Sequence, residues 1–296
     1  MKRIITFIIL IATSITISAQ TDLSVSQLRI PTKISTAYFA PNAFPVPEML
    51  DGRTSDKWKV EMYGDYFIGT IGKASASDAD YTDRTSDLSF KITIPLFTPR
   101  VNLVAWGTII EAYNSSYEVC RLRRIKHDGD LKGMCTGDIY LSTDIMVLTQ
   151  EKAWVDVTLR SALKTASGDR FEYARYYDNA GYFFDLTAGR GFYSSNKRTE
   201  FRVAASGGFL CWPTDNGRQN DAVMYGVLAA LNSGPFSLSA EYGGYVGWEG
   251  DGDRPMTVKV KTSYSIKGVG VNLGYQRGLM DWPFHQFRFG LSYTFR

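Results

Sequence analysis

Apolar and polar residues alternate one by one over most of this chain, and the C-terminal stretch shows the pattern most clearly. One set of alternate positions is apolar and largely aromatic: Phe287, Phe289, Leu291, Tyr293 and Phe295. The intervening set is polar or small: Arg288, Gly290, Ser292, Thr294 and Arg296. Because residues two apart share one face of a β-strand, this stretch is predicted to be a strand with one apolar and one polar face.

Twelve segments in all carry this period of two residues, although two of them are apolar on both faces and therefore more ambiguous. The twelve segments are residues 58–68, 88–96, 101–112, 138–147, 155–164, 182–187, 201–209, 221–231, 236–248, 256–266, 269–276 and 287–296. The two ambiguous ones are 101–112 and 221–231. A strand that crosses a bilayer at a tilt needs about ten residues, which is roughly the length of these segments.

The connections between the segments alternate in length, which gives an independent indication of topology. They are short after every even-numbered segment and longer and more polar after every odd-numbered one. Twelve antiparallel strands then place both ends of the chain on the short-turn side. The pattern predicts an all-β fold, a closed antiparallel transmembrane β-barrel of about 12 strands, because closure removes the unpaired strand edges that lipid cannot solvate.

The N-terminus has the three parts of a secretory signal peptide. Lys2 and Arg3 form a short basic start, residues 4–12 are apolar, and residues 14–19 are small and polar. The apolar run is too short to span a membrane, so we expect residues 1–19 to be removed. Residues 20–56 contain three closely spaced prolines and do not alternate. They are predicted to form a periplasmic tail, which is the favoured interpretation, or a plug inside the barrel. The barrel itself is predicted over residues 57–296.

Together, the signal peptide, the twelve alternating segments and the aromatic end QFRFGLSYTFR resemble a bacterial outer-membrane β-barrel protein of the twelve-stranded type. The resemblance implies secretion across the inner membrane and a location in the outer membrane of a Gram-negative bacterium. It also implies membrane lipids and the outer-membrane insertion machinery as partners. The alternative is a soluble secreted barrel or sandwich, which would turn its apolar face inward and its polar face to water.

Composition excludes several other classes of function. Lys and Arg number 33 against 30 Asp and Glu, and no long basic run occurs, so nucleic-acid binding has no electrostatic support. The chain contains two His and three Cys, and it lacks G-x-S-x-G, H-E-x-x-H and C-x-x-C motifs. We therefore expect no cofactor and no metal, although acidic residues in the loops leave a weak calcium signal.

On the barrel interpretation, the polar faces of the strands line the lumen. Fourteen charged residues are predicted there: Lys59, Glu61, Asp65, Lys91, Asp144, Asp156, Arg160, Lys164, Asp185, Arg202, Glu241, Lys259, Lys261 and Arg288. Such charges could form salt bridges that hold the wall together, or they could line a path that selects solutes by charge. The slight basic excess favours a narrow, porin-like passive channel for transport of small polar or anionic solutes.

Two alternative functions stay open at this point. The outer-membrane phospholipase A family has twelve strands and uses Ser, His and Asn on its lipid-facing surface, so a lipid-modifying hydrolase or acyltransferase is one alternative. His285 is the weak catalytic candidate, because it shares the face of Phe287 and lies near the outer rim; His127 is assigned to a solvated loop. The other alternative is a closed structural or surface-interaction barrel.

The cysteines bear on the second of the longer connections. Cys120 and Cys135 both fall within it, and they are predicted to form a disulfide in an oxidising compartment. Such a bond would restrain the connection by about 3 kcal/mol on the chain-entropy model. Cys211 shares the lipid-facing parity of its strand and is predicted to be an inert thiol.

Overall fold

The structure, a computed structural model, describes residues 43–70, 80–122, 131–169, 175–176, 180–214, 218–248, 253–281 and 283–295. The strands are β1 (Lys59–Gly69), β2 (Asp83–Pro95), β3 (Val101–Ser115), β4 (Lys132–Cys135), β5 (Ile139–Leu148), β6 (Asp156–Lys164), β7 (Gly181–Tyr193), β8 (Thr199–Thr214), β9 (Arg218–Ser233), β10 (Phe236–Gly247), β11 (Met256–Ile266), β12 (Val269–Met280) and β13 (Phe284–Thr294). A short helix, α1 (Tyr117–Leu122), lies between β3 and β4.

Twelve of these strands close into an antiparallel barrel. Each strand pairs with its neighbour in the chain except at β4, which adds to the end of β3 while β5 pairs with the rest of β3. The first and last strands close the ring, with pairs running from Lys59 opposite Thr294 to Gly69 opposite Phe284. The predicted all-β barrel of twelve strands is therefore confirmed, and β4 is an additional strand that the alternation did not predict.

The apolar faces of the strands point outward. Phe287, Phe289 and Leu291 of β13 are 49%, 54% and 53% exposed, whereas Gln286 and Ser292, on the other face of the strand, are buried. Arg288 turns inward and pairs with Asp65 of β1. An apolar outer surface and a charged interior are the arrangement of a membrane barrel, and the soluble alternative with inward apolar faces does not fit it.

Connection lengths follow the predicted alternation at most positions but not at two. The connections at one end of the barrel, called here the short-turn end, include only two residues between β9 and β10 and two between β11 and β12. At the opposite, long-loop end, β8 is separated from β9 by residues 215–217 alone, and β12 from β13 by residues 281–283. The prediction of longer connections at these two places was wrong, because the flanking strands continue beyond their alternating stretch; β8 and β9 each have 16 residues.

The two ambiguous segments have specific structural explanations. Leu88 of β2 pairs with Ile110 of β3, but the next residue of β2 pairs with Thr108. Ile109 of β3 is therefore bulged. The bulge reverses the parity: Val104 is buried before it and Glu111 after it, while Ile109 and Ile110 both face outward. In β9, Ala222 and Met224 are buried on the inner face, where they pack in the main apolar cluster of the interior.

The connection between β3 and β5 folds back on the barrel. Helix α1 begins after Ser116, whose hydroxyl accepts a hydrogen bond from the Val119 amide at 3.3 Å. Strand β4 pairs with residues 111–114 of β3.

Within the described ranges, no helix is both long enough and apolar enough to cross a membrane.

The predicted disulfide is not formed. In the described part of the chain, Cys120 and Cys135 are both buried thiols that are not joined to each other. The Cys135 thiol instead points to the Glu111 carboxylate, 3.5 Å from Oε1. Cys211 is also a buried thiol.

Candidate functional site

Residues 43–56, called here the lumen segment, run through the interior of the barrel. The Met49 amide donates to Glu241 of β10 at 3.0 Å, and Lys259 of β11 donates to the Val46 carbonyl at 3.1 Å. On the opposite side of the ring, Asn102 of β3 donates to the Ser55 carbonyl at 2.8 Å. Contacts with opposite walls place these residues inside, so the tail interpretation does not describe them; residues 20–42 lie outside the described residues.

Ionic contacts hold the lumen segment at the short-turn end. Arg202, whose side chain is fully buried, donates to the Asp51 carbonyl at 2.7 Å and to the Asp156 carboxylate at 2.8 Å. Arg53 pairs with Glu200 at 3.1 Å. Gly52 has a φ of +88°, and a Cβ there would lie 2.9 Å from the Gly189 amide nitrogen. A glycine is needed because the backbone both turns left-handed and approaches the wall.

Aromatic packing holds the other end of the lumen segment. The Phe44 ring lies 6.2 Å from the ring of Trp212, and its backbone carbonyl accepts a hydrogen bond from the Tyr245 hydroxyl at 3.4 Å. Lys164 adds a cation over the Phe44 ring at 5.8 Å. These contacts remove large apolar surfaces from water, so a packed apolar cluster anchors this end of the lumen segment.

The fourteen predicted lumen charges all lie on strand faces opposite the exposed apolar ones. Ten are buried: Glu61, Asp65, Asp144, Asp156, Arg160, Lys164, Asp185, Arg202, Glu241 and Lys259. The side chains of the other four are 36%, 28%, 33% and 33% exposed: Lys59, Lys91, Lys261 and Arg288. The structure thus separates charges enclosed in the wall from charges that still contact water in the lumen.

Many of these charges pair across neighbouring strands. Arg160 lies opposite Asp185 in the register of β6 and β7, with Nε 2.7 Å from Oδ2. Arg288 lies opposite Asp65 in the register of β13 and β1, and its Nε and Nη2 donate to the two carboxylate oxygens at 2.6 and 3.0 Å. Opposite charges at directly facing positions stabilise the pairing of the strands. A structural role is therefore sufficient to explain these pairs.

A cavity of about 180 Å³ remains beside the lumen segment. One side is the segment itself, from Pro45 to Leu50, and the other side is the inner wall, including Trp106 and Tyr140. Nine charged side chains border it: Lys91, Arg160, Lys259, Lys261, Arg288, Glu48, Asp65, Asp138 and Asp144. Five are basic and four are acidic, so the space is polar and has a small basic excess.

Glu48 is the acidic residue that the lumen segment contributes to this cavity. Its carboxylate accepts a hydrogen bond from Lys261 and lies 3.8 Å from the Lys91 ammonium. Its removal from bulk water raises the pKa of Glu48, but the positive charges of Lys261, Lys91 and Lys259 outweigh this effect. The net result is a pKa well below the usual value, so Glu48 is an anion at neutral pH.

A second ionic cluster lies at the long-loop end. Arg175 donates from Nε to Glu111 at 2.5 Å and from Nη2 to Thr85 at 3.0 Å. The Tyr176 hydroxyl donates to the same Glu111 carboxylate at 3.1 Å. Arg175 and Tyr176 are each 1% exposed, which shows that this loop residue pair is folded inward against the wall.

The weak catalytic candidate His285 has a phenol as its neighbour. Its Nδ1 lies 2.7 Å from the Tyr275 hydroxyl, and the two rings stack at 6.0 Å. The group that the structure places beside His285 is thus a phenol, whereas the hydrolase alternative uses a serine nucleophile. His127 lies outside the described residues. In the ranges that the structure covers, no group of three metal-ligating side chains comes together.

Several residues of the site were missed from the sequence. Glu48 and Asp51 lie in a stretch without alternation, and no pattern marks their partners. Asp138 shares the parity of Asp144, and its 2.6 Å pair with Lys164 could have been found from that parity. The apolar inner face of β9 was also a signal, because a strand that lines only water should not be apolar on both faces.

Comparison with known proteins gives structural matches only: no protein-family model and no curated protein matches the sequence. The COG4313 outer membrane channel from Pseudomonas putida F1 is similar with a TM-score of 0.52 and 12% identity, covering 84% of this chain and 100% of that one. The KdgM porin matches with a TM-score of 0.48 and 10% identity over 80% and 99% of the two chains. LpxR from Salmonella typhimurium matches with a TM-score of 0.47 and 11% identity over 79% and 100%. The match with the COG4313 channel, the one of the three with a TM-score above 0.5, supports the fold, a closed antiparallel β-barrel of twelve strands.

Proposed function

We propose that this protein is a narrow passive channel for small polar or anionic solutes in the outer membrane of a Gram-negative bacterium. The observation that carries the proposal is the cavity beside the lumen segment, where partly exposed lysine and arginine side chains meet lumen water. A charged cavity that water can enter lowers the electrostatic barrier to bringing an ion of the opposite sign into the barrel. The lumen segment makes the passage narrow.

The charge distribution supports anions over cations. Lys91, Lys261 and Arg288 are the cavity-lining charges on the strands that are about one-third exposed, whereas the acidic wall residues Asp65 and Asp144 are only 4% and 5% exposed. Water-accessible charges act on a passing ion more directly than enclosed, hydrogen-bonded ones. The accessible surface is therefore more basic than the residue count alone indicates.

Planar-bilayer recording tests the proposal. Purified protein in a membrane between two KCl solutions of unequal concentration should give discrete current steps, with a reversal potential displaced toward that of chloride. Heat-denatured protein is the matched control for leaks caused by detergent. A folded protein that gives no steps, or one that prefers potassium, would contradict the proposed function.

A closed barrel is the second candidate, because the lumen segment packs tightly at both of its ends. Phe44 is 5% exposed and Arg202 is fully buried, so neither anchor is exchanged easily for water. If the segment never moves and the cavity does not connect the two sides, the protein would act through its loops. This candidate would be favoured if the protein gives no conductance and if liposomes that contain it stay impermeable to small solutes.

A further inference from the structure

Two lysines from distant strands converge on one carboxylate in the lumen. Lys91 is on β2 and Lys261 is on β11, and β1, β13 and β12 lie between these strands in the sheet. Both ammonium groups nevertheless contact Glu48 of the lumen segment. Convergence across the lumen differs from the pairs Arg160 with Asp185 and Arg288 with Asp65, in which the partners are on neighbouring strands. The lysines therefore form a site whose present ligand is a carboxylate from a non-strand segment.

This site is in contact with water. The side chain of Glu48 is 40% exposed, and those of Lys91 and Lys261 are 28% and 33% exposed. By contrast, the Lys164 and Asp138 side chains are 1% and 0% exposed. An ion pair that remains hydrated contributes little net stability, so its anion can be exchanged for another without a large cost.

Withdrawal of Glu48 would leave a local excess of positive charge. In the described part of the chain, the ion pair of Lys91 is the one with Glu48. Lys261 would keep only its longer contact with Glu241, at 3.8 Å, and Glu241 is already engaged by Lys259 at 3.4 Å. Lys91 would then face Glu61, its opposite residue in the register of β1 and β2, which already pairs with Lys59 at 2.8 Å. Four ammonium groups would share the carboxylates of Glu61 and Glu241, and this excess of positive charge attracts an incoming anion.

We propose that Lys91 and Lys261 form a binding site for the carboxylate group of a small organic acid, and that Glu48 occupies this site as an internal substitute for it. The proposal rests on the proposed channel function and names its class of solute. The nearby Arg288 does not compete for the ligand, because Asp65 accepts both of its hydrogen bonds in a two-point contact.

Binding of propionate, the free counterpart of a glutamate side chain, tests the site directly. The carboxyl resonance of ¹³C-labelled propionate would be followed by NMR as folded protein in detergent is added. Glu48→Gln should bind propionate about tenfold more tightly than the wild type, because in the wild type the site is open for only a fraction of the time. Glu48→Ala is the second variant, should the glutamine retain a hydrogen bond to Lys261.

Removal of a lysine should reverse this gain. Glu48→Gln combined with Lys261→Met should lose at least about tenfold in affinity, since one of the two charges is removed. Lys152 is the control, because it is an exposed lysine in the turn between β5 and β6 and does not line the cavity. Glu48→Gln combined with Lys152→Met should keep the tighter binding. Equal binding by all variants, or equal binding of inorganic phosphate, would overturn the carboxylate site.

Conductance of the same variants separates the two proposals. If Glu48→Gln binds propionate but no variant conducts in a bilayer, the channel is wrong and the binding site stands. If the variants conduct but propionate neither binds nor responds to Lys261→Met, the binding site is wrong and the channel stands.

Discussion

The interior of the barrel contains two kinds of ion pair that differ in their access to water. The enclosed pairs, Arg175 with Glu111, Lys164 with Asp138 and Arg202 with Asp156, have side chains that are at most 10% exposed. The lumen pairs, Glu48 with Lys91 and Lys261, have side chains between 28% and 40% exposed. Both groups join a basic side chain to a carboxylate. The comparison shows that burial, and not charge itself, separates wall residues from residues able to meet a solute.

The energetic consequences of the difference are opposite in direction. Removing one partner of an enclosed pair leaves a charge without its counter-ion in a medium that solvates it poorly. Removing one partner of a lumen pair leaves a charge that water can solvate. Enclosed pairs should therefore control stability, and lumen pairs should control which ions enter.

The largest expected effect is on stability, in Arg175→Met. This change leaves Glu111, which is 0% exposed, without its guanidinium, and should lower the free energy of unfolding by about 3–5 kcal/mol. Urea unfolding of the protein folded in lipid or detergent would measure it. Lys91→Met is the matched lumen variant and should cost less than about 1 kcal/mol. Equal losses of unfolding free energy in the two variants would show that burial does not distinguish these two kinds of ion pair.

A second prediction tests whether the apolar faces of the strands contact lipid. Phe289 lies near the middle of β13, opposite Gly64 and Leu273, and is 54% exposed. Phe289→Arg should lower the free energy of unfolding in lipid by about 2–4 kcal/mol, because it places a charge in hydrocarbon. Phe289→Leu should change it little. A neutral arginine substitution would mean that this face does not contact lipid.

The third prediction concerns ion selectivity and tests whether the lumen charges control it. Lys91→Glu places a negative charge on the water-accessible wall and should reduce the preference for chloride over potassium about fivefold, equivalent to roughly 1 kcal/mol. Reversal potentials in a KCl gradient would show this. Arg175→Lys, a conservative change in the enclosed cluster, should leave the reversal potential unchanged. An effect of similar size in both variants would remove the distinction.

The smallest expected effect is that of mild acid on the lumen pair. The lysines hold the pKa of Glu48 well below its usual value, and the titratable and charged groups around it are Lys91, Lys259, Lys261, Arg288 and Tyr63. A lowered pKa means that the contact is complete at neutral pH and is lost only as the pH falls through that lowered value. Propionate affinity should therefore stay low in the wild type between about pH 7 and about pH 5. A marked gain by pH 5 would contradict the ionised Glu48.

The alternation of residues was enough to predict the barrel, because an apolar face against lipid and a polar face against the lumen impose a period of two on each strand. The prediction from alternation was weakest in β3 and β9, where a bulge or a packed interior disturbs the period of two. The bulge near Ile109 reversed the parity of β3, and the inner face of β9 is apolar because a packed interior replaces water there.

The lumen segment could not be predicted in the same way. Its conformation is set by contacts with strands far away in the chain, such as Met49 with Glu241 and Val46 with Lys259. A residue in such a segment has no periodic neighbours, so Glu48 carried no local sign of its role. The same holds for Arg175, which reaches Glu111 across 64 positions of the chain.

The most direct test of the account is a cross-link between the lumen segment and the wall. A Cβ built on Gly243 of β10 would lie 3.9 Å from Cγ1 of Val46, so Val46→Cys and Gly243→Cys are close enough to form a disulfide. We expect the doubly substituted protein to cross-link in high yield on mild oxidation, and reduction to increase its conductance by releasing the segment. Failure to cross-link in the folded protein would contradict the placement of residues 43–56 inside the barrel.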